Sequence, residues 1–234
     1  MTTMVEVWRV PLDRAPDEHL RLESVLSADE RERANRFRSE ELRHRYGVAQ
    51  SALRHLLARK LNRAAADLCF ESGPAGKPVI SPRQGTTTTH FNLSHSEDMA
   101  LIAISGDRPL GIDIERYRKG IDVAMLTQQY FAPGEARQIL SLPDAEQAQA
   151  FLTCWTRKEA YLKATGSGLS TPLDSFEVSA LPGSAPRLLT VAGDAQAANR
   201  WRFVDLGDET YAATLVVETL DIKVTKHDFL AFPN

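Results

Sequence analysis

The sequence predicts an α+β protein built from two similar halves, each with a long helix, a short strand and a two-stranded hairpin. Three observations carry this. Apolar residues recur at helical spacing over residues 42–62 and again over residues 146–165. Each of these stretches is followed by a short strand-like run and then by two longer ones around a polar turn. The two hairpins are also in step, since Phe91 and Met99 stand at the same separation from Phe203 and Tyr211. The boundary falls near residues 106–108, which divides the chain into residues 1–106 and 107–234.

Taken in order, residues 5–10 read as a strand closed by Pro11. Ser27 with Glu30 three residues on forms a capping box that opens a helix to about Phe37. The long helix follows, with Val48, Ala52, Leu56, Leu57 and Leu61 on its apolar face. Residues 68–71 are a short strand, and Gly73-Pro-Ala-Gly76 is a turn. Residues 90–93 and 99–105 pair around a turn at 94–98, and Pro109 precedes a strand over 110–115. In the second half a helix ends at Gly166, residues 176–179 are a strand, and 201–205 pairs with 211–217 around Gly207-Asp208. Residues beyond about Asp221 read as a tail.

The composition, 43% hydrophobic and 25% charged over 234 residues, excludes a disordered or fibrous chain. Two cysteines, Cys69 and Cys154, are too few for a disulfide framework or a structural zinc site. Residues 1–9 lack the apolar stretch of a signal peptide, and runs such as Met99 to Ile104 are too short to span a bilayer. A soluble, cytoplasmic protein with no membrane partner is expected. The net charge is −3, yet from Arg31 to Lys60 nine Arg and Lys face three Glu. A local cationic face on an acidic chain suits a small polyanion, although a nucleic-acid-binding module is an alternative reading of it.

Leu110-Gly-Ile-Asp-Ile-Glu115 carries the first candidate chemistry. Residues two apart on a strand share a face, so Asp113 and Glu115 project together and repel unless a cation joins them. Hard oxygen donors of this kind favour Mg²⁺ or Mn²⁺. Two solvated acids at a strand end are the plainer alternative, and a Mg²⁺-dependent phosphohydrolase would use the same acids. On the second helix Glu159 shares a stripe with Leu152, Trp155 and Leu162, where a carboxylate is costly without a partner. Lys163 lies one turn on, and an ordinary Glu159–Lys163 surface pair is the alternative there. Lys77 sits in the turn Gly76-Lys-Pro78, where a solvated lysine is the default. Phe91-Asn-Leu-Ser-His-Ser96 ends a strand with Ser94 and His95, suited to phosphate binding, proton transfer or simple capping. Gly166-Ser-Gly-Leu-Ser170 reads as a helix C-cap and turn, because a helix C-terminus disfavours anions.

Taken together and in order, Gly76-Lys-Pro, Phe91-Asn-Leu-Ser-His-Ser, Leu110-Gly-Ile-Asp-Ile-Glu and Trp155-Thr-Arg-Lys-Glu-Ala-Tyr-Leu-Lys resemble the 4′-phosphopantetheinyl transferases of the Sfp-like, surfactin-synthetase-activating type. The resemblance implies two α+β halves about a pseudo-twofold axis, with the active site in the cleft between them. The first half would bind coenzyme A, and the second would supply the metal strand and catalytic helix. The implied activity moves the 4′-phosphopantetheine arm of coenzyme A onto a serine of an apo acyl, peptidyl or aryl carrier protein, with release of adenosine 3′,5′-bisphosphate. Asp113, Glu115 and Glu159 would be ligands of Mg²⁺, with Mn²⁺ possible. Lys163 would meet the pyrophosphate, and Lys77, Ser94 and His95 the adenine and phosphates.

For the 3′-phosphate the resemblance points to Arg33, Arg36 and Arg45, while Glu30 and Tyr46 stand where relatives often carry Lys and Thr. Glu159 is the expected general base, with Glu115 second. Tyr117, Arg118, Lys119 and residues 124–131 follow the metal strand and are the candidate carrier contacts. Nucleic acid is not an expected partner, and two fused halves make a monomer sufficient.

Overall fold

The computed structural model describes residues 2–15, 22 and 24–230. Strand β1 (Thr3–Pro11) turns Thr3, Val5 and Val7 to one face. Helix α1 (Ala28–Asn35) begins at the capping box: Ser27 Oγ accepts from the Glu30 N–H while Glu30 accepts from the Ser27 N–H. Helix α2 (Glu40–Leu61) is capped by Ser39 and closes on Asn62 in the left-handed conformation. Strands β2 (Phe70–Ser72) and β3 (Pro78–Ile80) form a small hairpin, and β4 (His90–Ser96) and β5 (Met99–Ser105) a larger one. Then come β6 (Leu110–Arg116), α3 (Val123–Tyr130), α4 (Pro133–Leu140) and α5 (Asp144–Thr165). Strands β7 (Phe176–Val178), β8 (Leu188–Val191), β9 (Arg202–Asp205), β10 (Tyr211–Val217) and β11 (Ile222–Asp228) complete the described chain.

Two sheets run in the orders β11-β1-β5-β4 and β6-β10-β9. In each, the strand that precedes the long helix pairs antiparallel with the second strand of the hairpin that follows it, β1 with β5 and β6 with β10. The repeat is therefore one of topology as well as of spacing. Three apolar layers hold it together. Val48, Leu56 and Leu57 of α2 pack on Phe91, Ile102 and Ile104. Val5, Val7, Leu101 and Ala103 pack on Leu110, Ile112, Ile114 and Leu215, sheet against sheet. Leu152, Ala160 and Leu162 of α5 pack with Phe203, Ala212 and Val216. Each such fully buried large side chain contributes about 1.5–3 kcal/mol of transfer free energy.

Two expectations are corrected. The segment after Asp221 is a strand, not a tail: β11 pairs parallel with β1 from Thr3↔Ile222 to Arg9↔Asp228, and residues 231–234 lie outside the described residues. The first hairpin turns at Glu97-Asp98 rather than over 94–98, because β4 continues through Ser96 and Glu97 takes the left-handed conformation at φ 52°. Residues 123–130 and 133–140 are helices that the sequence reading left unassigned.

Candidate active site

The site lies where the free edges of the two sheets meet. β4 and β6 are both edge strands, and an edge leaves N–H and C=O groups unpaired. Side chains of β4 supply the missing partners at period two. Asn92 Oδ1 accepts from the Ile112 N–H at 2.8 Å, Ser94 Oγ donates to Asp113 Oδ1 at 2.8 Å, and Ser96 Oγ donates to Glu115 at 3.1 Å and accepts from the Arg116 N–H. Asn-x-Ser-x-Ser in β4 thus reads Ile112, Asp113 and Glu115 in β6, and Asn92 and Ser96 are site residues that sequence reasoning passed over. Their alternation with Leu93 and His95 was the available signal.

Behind β6 runs α5. Gly111 makes its close approach possible, because a Cβ there would stand 2.1 Å from Ala160 O and 2.4 Å from Ala164 N. That contact brings Lys163 Nζ to 2.7 Å from Asp113 Oδ1, 3.0 Å from Ser94 Oγ and 3.3 Å from the Ile112 carbonyl. The Glu159–Lys163 surface pair is not formed among the described residues, and Lys163 turns to Asp113 instead. Asp113 is only 5% exposed, which removes the reading of two solvated acids.

Burial raises the pKa of Asp113, against the pull of Lys163. Burial, then the Asp113 charge, raises that of Glu115. Burial, then Asp113 and Glu115 against the pull of Lys163, raises that of Glu159. The three carboxylates therefore share one electrostatic neighbourhood, although among the described residues no three acidic, His or Cys side chains already converge on a metal-sized point.

A divalent cation nevertheless fits the chemistry of the donor set. Asp113 Oδ2 is buried with no hydrogen-bond partner among the described residues, and an orphaned carboxylate oxygen beside two further carboxylates matches a hard cation.

Glu159 and Lys163 line a cleft of about 240 Å³ together with Lys77, Pro78, Asn92 and Gly168. Both halves build its walls. Lys77 is not a solvated turn lysine. Its Nζ donates to the Leu110 and Lys163 carbonyls, each at 2.7 Å, joining β3 to the start of β6 and the C-terminus of α5. Burial and then the neighbouring Lys163 lower its pKa to about 8. Gly166 ends α5 in the left-handed conformation, its N–H donating to the Leu162 carbonyl, which is the C-cap that the sequence predicts.

His95 points to the opposite face of β4. Surrounding protein, then Lys163 and Arg33, lower its pKa. Arg33 also lies over the Tyr46 ring at 5.6 Å. The remaining basic residues are largely matched with acids: Arg36 with Glu32, Arg43 with Glu40, Arg45 with Asp13 and Glu41, Arg59 and Lys60 with Glu6. Glu30 caps α1 and accepts from Arg54 Nε at 2.7 Å, and Arg54 is itself 1% exposed and donates to the Ala65 and Leu68 carbonyls. The cationic segment is therefore no open stripe for nucleic acid.

On α5 the deeply buried charges are Arg157 and Lys158, not Glu159, which is half-buried. Lys158 Nζ meets Glu135 at 2.8 Å and the Leu173 and Phe176 carbonyls, while Arg157 donates to the Ser179, Leu181 and Ser184 carbonyls. These bonds anchor the outer face of α5, which leaves Trp155, Glu159 and Lys163 along its partly open side. Of the candidate carrier contacts, Tyr117 packs against the α5 core, Met125 and Tyr130 are exposed on α3, and Phe131 is buried.

Known proteins give the family to which the chain belongs. Residues 109–216 match the 4′-phosphopantetheinyl transferase superfamily, and residues 13–106 match the 4′-phosphopantetheinyl transferase N-terminal family. The 4′-phosphopantetheinyl transferase HetI of Nostoc sp. is 36% identical over 214 residues, which cover 91% of this chain and 87% of that protein. The 4′-phosphopantetheinyl transferases ffp and Sfp, both of Bacillus subtilis, are 34% and 31% identical, each match covering 74% of this chain and 76% of the relative. The chain belongs to the 4′-phosphopantetheinyl transferase superfamily, and its enzyme class is that of a phosphopantetheinyl transferase. Neither the nucleic-acid-binding reading nor the phosphohydrolase reading finds support. Among the described residues no helix is long and apolar enough to cross a membrane.

Proposed function

We propose that this protein transfers the 4′-phosphopantetheine arm of coenzyme A to a serine hydroxyl of an apo acyl, peptidyl or aryl carrier protein, releasing adenosine 3′,5′-bisphosphate. The observation that carries this is the meeting of Lys163, Asp113 and Ser94 beside Glu159, in a cleft built by both halves. In this reading residues 1–106 form the coenzyme half and residues 107–234 the metal and catalytic half. One such chain suffices as a monomer.

The serine Oγ attacks the phosphorus that carries the pantetheine, and the bond from that phosphorus to the oxygen of the adenosine 5′-phosphate breaks. Negative charge grows on the phosphoryl oxygens, and Lys163 is placed to hold it. Asp113, Glu115 and Glu159 would hold Mg²⁺ or Mn²⁺, which when bound supplies further neutralisation of the diphosphate. Glu159, on the open side of α5, takes the serine proton, with Glu115 as the second candidate. Ser94 keeps Asp113 and Lys163 in register. Arg33 and His95 are close enough to share a charge interaction, and they remain the expected contacts to the adenosine end. Arg36 and Arg45 would have to exchange carboxylates for the 3′-phosphate. Lys77 would have to leave two carbonyls to meet a phosphate.

Incubation with coenzyme A, Mg²⁺ and a panel of apo carriers, followed by intact mass, tests the reading. A carrier heavier by one phosphopantetheine with adenosine 3′,5′-bisphosphate in solution is the expected result. Free phosphate or AMP with unmodified carriers would overturn it.

A further inference from the structure

Ser96 ends the row of β4 side chains that meet β6, and it is 8% exposed. Its hydroxyl lies between two partners. The Arg116 N–H can only donate, so Ser96 Oγ accepts from it at 3.0 Å, and the one hydroxyl proton is left for Glu115 Oε2 at 3.1 Å. The backbone bond fixes the oxygen, and the proton is thereby aimed at the carboxylate.

Asp113 and Glu115 share a face of β6, as Ser94 and Ser96 share a face of β4. Ser94 and Lys163 engage Asp113 Oδ1, and Asp113 Oδ2 has no hydrogen-bond partner among the described residues. Ser96 engages Glu115 Oε2, and Glu115 Oε1 likewise has no hydrogen bond among the described residues. Each acid therefore has one oxygen held and one left over. What holds them differs. Asp113 is short and has both an ammonium and a hydroxyl, whereas Glu115 has one more rotatable bond and only the Ser96 hydroxyl. Arg118 and Lys163 attract Glu115 from further away, and neither forms an ion pair with it among the described residues.

We propose that Ser96 is a positioning residue: by engaging Glu115 Oε2 it leaves Oε1 as the oxygen that Glu115 offers, beside the free oxygen of Asp113, to a divalent cation. The inference rests on the reading that these acids hold Mg²⁺ or Mn²⁺, and it names what makes Glu115 a competent member of the set. Carboxylates that ligate metals are themselves hydrogen-bonded, and loss of such a partner weakens the metal by about 10–100-fold.

Mn²⁺ titration followed by electron paramagnetic resonance, without coenzyme A, reads the donor set in the wild type, Ser96→Ala and Ser96→Thr. Ser96→Ala removes the hydroxyl, and Ser96→Thr returns it on a residue suited to a strand. Ser96→Ala is expected to bind Mn²⁺ about tenfold or more weaker, and Ser96→Thr within about threefold of wild type. Coenzyme A affinity measured without divalent cation should stay within about twofold in both, since no hydrogen bond to a phosphate is removed. Carrier loading by Ser96→Ala should fall at limiting Mg²⁺ and recover in excess Mg²⁺, because the residue acts through the ion. Unchanged Mn²⁺ affinity in Ser96→Ala, or Ser96→Thr as weak as Ser96→Ala, would overturn the proposal. Equal weakening of Mn²⁺ and of cation-free coenzyme A would also overturn it, by making Ser96 a support of the whole cleft. Absence of Mn²⁺ binding by the wild type would overturn it together with the cation reading, while phosphopantetheine transfer stands or falls separately by intact mass.

Discussion

Lys163 donates to Asp113 at 2.7 Å, and this bond joins α5 to β6, the strand at the free edge of the second sheet. Asp113 is buried while Lys163 keeps one side toward the cleft, so the pair is a charge held ready at an opening. Lys163→Met should lower turnover by about 10²–10³-fold, as loss of one preorganised donor does. It should also cost about 1–3 kcal/mol of stability, because the buried Asp113 carboxylate loses its ion-pair partner. Adding Asp113→Asn removes that stranded charge, so the double variant should recover stability and not activity. Urea denaturation of the four proteins of the cycle checks this. Unchanged turnover with lowered stability would make the pair merely structural.

Glu159 shares the cleft with Lys163 and has no ion-pair partner among the described residues, which suits a group that must accept a proton from an incoming serine. Glu159→Gln keeps the shape and removes the basicity. Carrier loading by intact mass should fall by about 10²–10⁴-fold. Coenzyme A affinity measured without divalent cation should stay within about threefold, since the substitution adds no bulk and removes no phosphate donor. Full retained loading would exclude Glu159 as the base.

Much of this architecture was legible because its signals are local. The capping box at Ser27 and Glu30, the Gly166 C-cap and the alternation Ile112-Asp113-Ile114-Glu115 are each encoded within a few residues. What stayed hidden depends on partners far along the chain. β11 finds β1, Glu6 and Asp13 neutralise cations of α2, and Lys77 reaches Leu110 and Lys163. Arg157 and Lys158 carry no local mark of burial, yet carbonyls between Leu173 and Ser184, with Glu135, enclose them. Helical spacing reports which residues share a face. It does not report which neighbour will offer carbonyls to a buried cation.

Gly111 should be the least replaceable glycine near the site. Gly111→Ala places a methyl against α5 backbone, which cannot swing aside as a side chain can. Overpacking of this kind costs about 1–3 kcal/mol or more, and at this chain length each kcal/mol lowers the melting temperature by about 2–4 °C. Any protein that still folds should have Lys163 displaced from Asp113 and low turnover. Gly106→Ala is the control, because a Cβ there meets nothing within 4 Å, so its melting curve should overlay that of wild type.

The Lys77 clamp makes a prediction about pH. Its pKa in the folded protein is about 8, below the ordinary 10.5, because burial and then Lys163 disfavour its charge. Between those values the unfolded chain binds more protons than the folded one, so unfolding free energy should rise with pH across that window. The contribution is complete above about 10.5 and lost as pH falls through about 8. At about 1.4 kcal/mol per pH unit it amounts to at most about 3.5 kcal/mol. Lys77→Met removes both the charge and the two bonds to the Leu110 and Lys163 carbonyls. Its denaturation midpoint should therefore lack this rise, and the wild-type advantage should widen steadily from pH 7.5 to 10. His90 also stands near Lys77, but its pKa is lowered from the ordinary 6.5, chiefly by burial, so it is neutral across this window in both proteins. A wild-type advantage that stays constant over that range would mean that Lys77 carries no titrating proton in the cleft.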